Sequence, residues 1–246
     1  MYRIYKKTLG LAGTNVYILR REGEKECVIV DPAAEEAELI EFMDGLGLRP
    51  VSILLTHGHF DHIYAAEPLS KHYSIPIYAS EKERELLGDK EKNLSLMFRR
   101  PVILTDFTPF SGGDHFPFLK REWQVIETAG HTKGSVSFYL PPVPGAPEEK
   151  ERMENPASKR EFGSEFPEDC REGLLLSDQT PILFCGDTLF RSSYGRTDFP
   201  GGSLEEIRRS IREKLLILPE ETKVYPGHQG ETTIGRERRY NPMALH

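Results

Sequence analysis

The chain has 246 residues, of which 38% are hydrophobic and 29% charged. Together with a mean hydropathy of −0.48, that composition fits a globular protein and excludes disordered and fibrous classes. Thirty-nine acids against 32 bases leave a net charge of −7, which gives no general attraction for nucleic acid.

Cys27, Cys170 and Cys185 form no paired framework and no CxxC, so a reducing cytoplasm is expected rather than a disulfide-stapled secreted fold. No window has the apolar length of a membrane-spanning helix. Lys6 and Lys7 precede an apolar stretch, but Thr14 and Asn15 interrupt it and no small-residue cleavage site follows. Alternation through Asn15 to Leu19 reads as a strand, and neither export nor membrane insertion is expected.

Further on, the apolar run Cys27 to Val30 reads as a buried strand that meets a turn at Asp31-Pro32. Ala37, Ile40, Met43 and Leu46 recur at threes, which predicts an amphipathic helix over residues 35 to 46. Val51 to Leu55 is a second buried strand. A helix over 62 to 73, a strand at Ile75 to Tyr78 and a helix after Ser80 follow. Val102 to Leu104, Trp123 to Glu127 and Val136 to Leu140 read as strands.

Residues 142 to 180 form a polar, Pro- and Glu-rich insertion, expected as a loosely folded surface segment with a lid as the alternative. Pro181 to Cys185 resumes as a strand. Ser203 and Glu206 make a capping box ahead of the stripe Leu204, Ile207, Ile211 and Leu215, and Lys223 to Tyr225 is a last short strand. There is no internal repeat, and one domain spanning residues 1 to 246 is expected. Two blocks of strands with helices between them suggest two sheets with helices outside.

Three of the eight histidines fall in His57-Gly58-His59-Phe60-Asp61-His62, directly after a buried strand. Neutral imidazole and carboxylate are the ligands of zinc, iron and manganese. Four such groups in six residues exceed what one open catalytic ion needs, so the spacing suggests two neighbouring ions. His131, Asp187 and His228 each stand beside glycine at the end of a predicted strand and supply further candidate ligands. His72, His115 and His246 lack that setting.

His57-x-His59-x-Asp61-His62 followed by His131, Asp187 and His228 resembles the metallo-β-lactamase superfamily. Gly186-Asp187-Thr188-Leu189-Phe190, Gly195 to Gly202, Pro226-Gly227-His228 and Thr232 to Pro242 are similar to its short glyoxalase II-like branch. The resemblance implies an α/β fold, a four-layer αββα sandwich with the metal site at one edge of the two sheets. It implies that His57, His59 and His131 hold one ion and Asp61, His62 and His228 a second. Asp187 and a water or hydroxide would bridge the two. Zinc is the expected metal, with iron or manganese as alternatives. The implied reaction is hydrolysis of a hydroxyacylglutathione-type thioester, a small-molecule substrate, by attack of the bridging hydroxide on the carbonyl. Asp61 is a candidate proton shuttle, although a carboxylate that ligates a metal is a weak base.

The resemblance to longer relatives would imply a glutathione-binding helical domain, which is not expected after His228, where Arg236, Arg238 and Arg239 stand. Tyr64 replaces a small residue usual after the motif and is a candidate substrate contact. Arg196 and Asp198 are expected to pair and fix the loop after Asp187, with Arg196 also a candidate anion contact. Lys133 is expected to be solvated and Cys185 a small core residue. The rival readings are a one-iron persulfide dioxygenase built on His57, His131 and Asp187, and a lactone or other ester hydrolase of the same fold. A β-lactamase is disfavoured by the Asp187 position and the lack of an export signal, and nucleic-acid processing by the acidic balance.

Overall fold

Apolar runs with no polar alternation become strands covered on both faces, and their alternate side chains enter two different cores. The computed structural model describes residues 1–145, 166 and 169–245. In chain order its strands are β1 (Tyr2–Leu9), β2 (Thr14–Arg21), β3 (Glu26–Val30), β4 (Arg49–Leu54), β5 (Ile77–Ser80), β6 (Thr108–Phe110), β7 (His115–Phe116), β8 (Trp123–Glu127), β9 (Val136–Leu140), β10 (Leu174–Leu176), β11 (Ile182–Gly186), β12 (Leu189–Phe190), β13 (Ser193–Tyr194), β14 (Lys223–Pro226) and β15 (Thr232–Thr233). The helices are α1 (Glu36–Gly45), α2 (Phe60–Ile63), α3 (Ala66–Tyr73), α4 (Arg84–Leu87), α5 (Leu204–Arg209), α6 (Ile234–Tyr240) and α7 (Pro242–Leu245).

One sheet runs β10-β1-β2-β3-β4-β5-β6 and the other β15-β14-β11-β9-β8-β7. Within β3, Val28 and Val30 face the second sheet and pack with Phe138, Phe184 and Tyr225. Cys27 and Ile29 point the other way, against Leu39 and Met43 of α1 and Leu69 of α3. In the second sheet Phe184 faces the first, while Leu183, Cys185 and Val224 pack outward on Ile207, Ile211 and Leu215. Helix, sheet, sheet and helix thus form the four expected layers, and Cys185 is a small core residue.

Several expected boundaries move, each for a local reason. The helix expected over 62 to 73 is two helices, α2 and α3, because the Ala65 N–H donates to Pro32 O at 3.0 Å instead of continuing the first. The strand expected at Ile75 begins at Ile77, and Ser80 leads into a single 3-10 turn (Glu81–Glu83) before α4. Val102 to Leu104 is not a strand; its backbone is taken by loop bonds, Leu104 N–H to Leu87 O and Asn93 Nδ2–H to Val102 O. The stripe after Ser203 is helical as predicted, but its second half, Ser210–Leu215, widens to a π-turn that keeps Ile211 and Leu215 buried. Strand β10 lies inside the stretch read as an insertion. It pairs antiparallel with β1, Tyr2 opposite Leu176, so the sheet resumes before residue 180. Residues 146–165, 167, 168 and His246 lie outside the described residues, and with them most of the insertion. Among the described residues no helix is long and apolar enough to cross a membrane.

Candidate metal centre

Four strands deliver the predicted ligands from their carboxyl ends. The loop after β4 carries His57 and His59 and runs into α2 with Asp61 and His62, β8 leads to His131, β11 to Asp187 and β14 to His228. Backbone bonds tie these ends together. The Val136 N–H donates to Thr56 O (2.9 Å), Gly227 to Gly186 O (2.8 Å) and Asn15 to Gly227 O (2.7 Å). Close approach depends on glycine at Gly227, where a Cβ would sit 2.2 Å from Asp187 Oδ1 and 2.6 Å from His62 Cε1.

All seven candidate ligands converge. His57, His59 and His131 form one group whose ligand atoms lie within 4.8 Å of one another, and Asp61, His62 and His228 form another. His59 Nδ1 and His131 Nε2 face each other at 2.9 Å. Asp187 lies against both groups, with Oδ2 at 3.7 Å from His131 Nε2 and 3.3 Å from His228 Nε2, and Oδ1 at 3.4 Å from His62 Nε2. His228 Nε2 is also 3.3 Å from Asp61 Oδ2.

The charges separate the two groups. Burial, with the neighbouring histidines, pushes His57 well below the usual histidine range, and burial takes His59 down to about 3 and lowers His131. These three are neutral imidazoles, the form that binds a metal. Burial would also lower His62, but Asp61, Asp187 and Asp31 outweigh it and lift His62 well above its usual range. The same contest lifts His228 to about 9 through Asp187 and Asp61. In return, and against burial, His62 and His228 bring Asp61 down to about 2 and hold Asp187 well below the carboxylate range.

His57 Nε2 and His59 Nε2 are buried without a hydrogen-bond partner, while His62 Nε2 and Asp187 Oδ1 have only their long ion-pair contacts. Leaving such atoms unpaired costs about 1–3 kcal/mol each. A cluster of them, all nitrogen or carboxylate oxygen, fits divalent cations.

Supporting residues missed in the sequence hold the ligands in place. Asp31 accepts from Thr56 N–H (2.8 Å) and Thr56 Oγ1–H (2.6 Å) and faces His62 Nδ1 at 2.9 Å. Thr56 Oγ1 lies 3.1 Å from His57 Nδ1, so one buried carboxylate steadies both imidazoles. Thr14 Oγ1–H donates to Asp61 Oδ2 at 2.8 Å. Asp31 carries the signal that marked Asp187, an acid at a strand end, yet its partners lie 25 and 31 residues away. Asp31→Asn is expected to weaken metal binding about 10–100-fold, checked by competition with a chromophoric chelator.

The substrate candidates are engaged within the protein. Arg196 and Asp198 form a two-pronged pair, with both N···O distances at 2.7 Å. The Arg196 guanidinium lies 3.8 Å over the Phe199 ring, and its carbonyl is 2.8 Å from His131 Nδ1. Arg196 therefore orients the candidate ligand His131 through its backbone while its charge is matched by Asp198. Tyr64 follows α2 and lies under Arg100, whose guanidinium is 5.3 Å from the ring. Near the C-terminal end, Arg238 and Arg239 pair with Glu220, and Arg236 lies over Tyr240. His72 and His115 lie outside both ligand groups, and Lys133 is exposed.

The model of the metallo-beta-lactamase superfamily matches residues 9–143 and 173–228. The hydroxyacylglutathione hydrolase GloC of Haemophilus influenzae is 30% identical over 225 residues, 90% of this chain and 89% of that protein. Among solved structures, the BLEG-1 B3 metallo-beta-lactamase is 33% identical with a TM-score of 0.77 over 100% of both chains. TTHA1623, solved in a di-iron-bound form, is 29% identical with a TM-score of 0.70 over 97% of this chain and 98% of its own. Strand-end ligands on two facing sheets, matched along most of the sequence, place the chain in the metallo-beta-lactamase superfamily, as a metallo-hydrolase.

Proposed function

We propose that the chain is a two-metal hydrolase of thioesters of hydroxyacylglutathione type. The observation that carries this reading is Asp187, a single carboxylate within 3.7 Å of His131 in one ligand group and 3.3–3.4 Å of His228 and His62 in the other. On that basis His57, His59 and His131 hold one ion, Asp61, His62 and His228 the second, and Asp187 both. The di-iron form of TTHA1623 supports two ions, and either zinc or iron suits these donors. Bound divalent ions would supply Lewis-acid polarisation of a carbonyl and a hydroxide nucleophile at neutral pH.

The protein side of the reaction is orientation and exclusion. The His57 group is almost wholly buried, whereas His228 and Asp61 keep 21% and 15% of their side chains exposed, so substrate enters on their side. The Phe190 ring lies 6.2 Å from His228 and the Phe199 ring 5.6 Å from His59, giving the site apolar walls. A thiolate leaves as an anion and needs no proton from the protein, which suits a thioester, and the likeness to GloC supports the same choice. Leu189-Phe190 and Pro200-Gly201-Gly202, similar to the glyoxalase II-like branch, favour the hydrolase over the one-iron dioxygenase.

The test is a substrate panel on metal-loaded protein: a hydroxyacylglutathione thioester, an acyl thioester without glutathione, a lactone and a β-lactam. A kcat/KM at least about tenfold higher for the thioesters is expected, a difference of about 1.4 kcal/mol in transition-state binding. No thioester turnover alongside β-lactam turnover would replace this reading with the activity named for BLEG-1.

A further inference from the structure

Glu83 ends the 3-10 turn after β5, a segment that contributes no candidate ligand. Its side chain is nevertheless carried into the centre of the fold and is only 1% exposed. There Oε2 accepts the Gly58 N–H at 2.7 Å and Oε1 accepts the Gly134 N–H at 2.7 Å. Gly58 stands between His57 and His59, and Gly134 is three residues after His131. One carboxylate therefore ties the loop that carries two ligands of the first group to the loop that carries the third.

Glycine is needed at Gly134 and leaves close room at Gly58. A Cβ on Gly134 would lie 2.6 Å from Glu83 Oε1 and 2.8 Å from its Cγ, and one on Gly58 3.2 Å from Oε2. Burial drives the carboxyl toward its neutral form, and the Gly58 and Gly134 N–H groups oppose that. A carboxylate has two acceptor oxygens and no donor, so it alone among similar side chains satisfies both N–H groups.

We infer that Glu83 is a positioning residue for the His57–His59–His131 site, setting the separation of the two loops that carry it. The inference rests on the proposed ligand assignment. Glutamine in its place offers one acceptor and turns an NH2 toward the other N–H, and alanine leaves both unpaired.

The experiment is titration of Co²⁺ into chelator-treated full-length protein, following the cobalt absorption bands of wild type, E83Q, E83A, L87A and H57A. Both Glu83 variants should bind the first-site ion about 10–100-fold more weakly and with a shifted band. Leu87 is fully buried and lies beside Gly58 without bonding to it, so L87A should lower the melting temperature and leave cobalt affinity intact. Wild-type cobalt affinity and spectra in both Glu83 variants overturn the inference, as does equal weakening in L87A. Loss of the first-site band in H57A with no effect in E83Q sinks this inference alone. An intact band in H57A sinks the ligand assignment and this inference together.

Discussion

Asp187→Ala is expected to reduce bound metal from two ions per chain to one or fewer and to lower thioester kcat/KM by about 10³-fold. The size follows from the several kcal/mol that metal-centred charge stabilisation contributes, about 4 kcal/mol being about a thousandfold. The geometry makes Asp187 the most damaging single change, because among the described residues it alone faces His131, His62 and His228 together. Asp187→Asn keeps the shape and removes the charge that helps hold His62 and His228 protonated in the metal-free protein. It should still lose metal, through weaker ligation rather than collapse of the site. Elemental analysis with thioester kinetics reads both variants. Retention of two ions with more than a tenth of the rate would remove Asp187 from its central place.

The second large effect is a difference between the two sites in their response to pH. His57, His59 and His131 are held below the usual histidine range and are neutral at pH 7, so an ion entering among them displaces no proton. His62 and His228 are held above it, His228 at about 9, and each carries a proton that must leave before the nitrogen can bind a metal. The sign follows directly. Affinity at the second site rises with pH while His228, at about 9, and His62 still carry their protons, and falls on acidification by about tenfold per unit for each proton displaced. First-site affinity stays nearly flat from pH 6 to 8. Calorimetric titration in buffers of different ionisation enthalpy counts the released protons. Equal proton release at both sites would contradict the assignment of His62 and His228 to one ion. In practice, the second ion is the one lost in mildly acidic buffer.

Much of the fold was legible because its central strands are covered on both faces. Val28 and Val30 go to one core and Cys27 and Ile29 to the other, so β3 reads as an unbroken apolar run. The same holds for β4 and β11. What was not legible lies at the edges and depends on distant partners. Strand β1 pairs with β10 across more than 160 residues, and β10 is three residues at the end of a polar stretch. Strand β6 is three residues with a proline at its centre, which local propensity argues against. The break between α2 and α3 comes from Pro32, a tertiary acceptor that no periodicity reveals.

The candidate site divides in the same way. Its seven predicted ligands come together because imidazole and carboxylate beside glycine at strand ends form a local signal. The residues that orient them do not announce themselves. Thr14 is 47 positions from Asp61, Asp31 is 31 from His62, and Glu83 is 51 from Gly134. Each is an ordinary polar residue until the fold buries it. Arg196 shows the converse. Its side chain drew notice as a charge, whereas its contact with the site is a backbone carbonyl on His131.

The central claim is that two ions are held side by side by one continuous set of ligands, and metal content per chain tests it most directly. Elemental analysis of protein purified without chelator should give about two ions of zinc or iron per chain. One ion per chain at full thioester turnover, unchanged by added metal, would contradict the two-metal account and leave the Asp61–His62–His228 group as a hydrogen-bonded cluster.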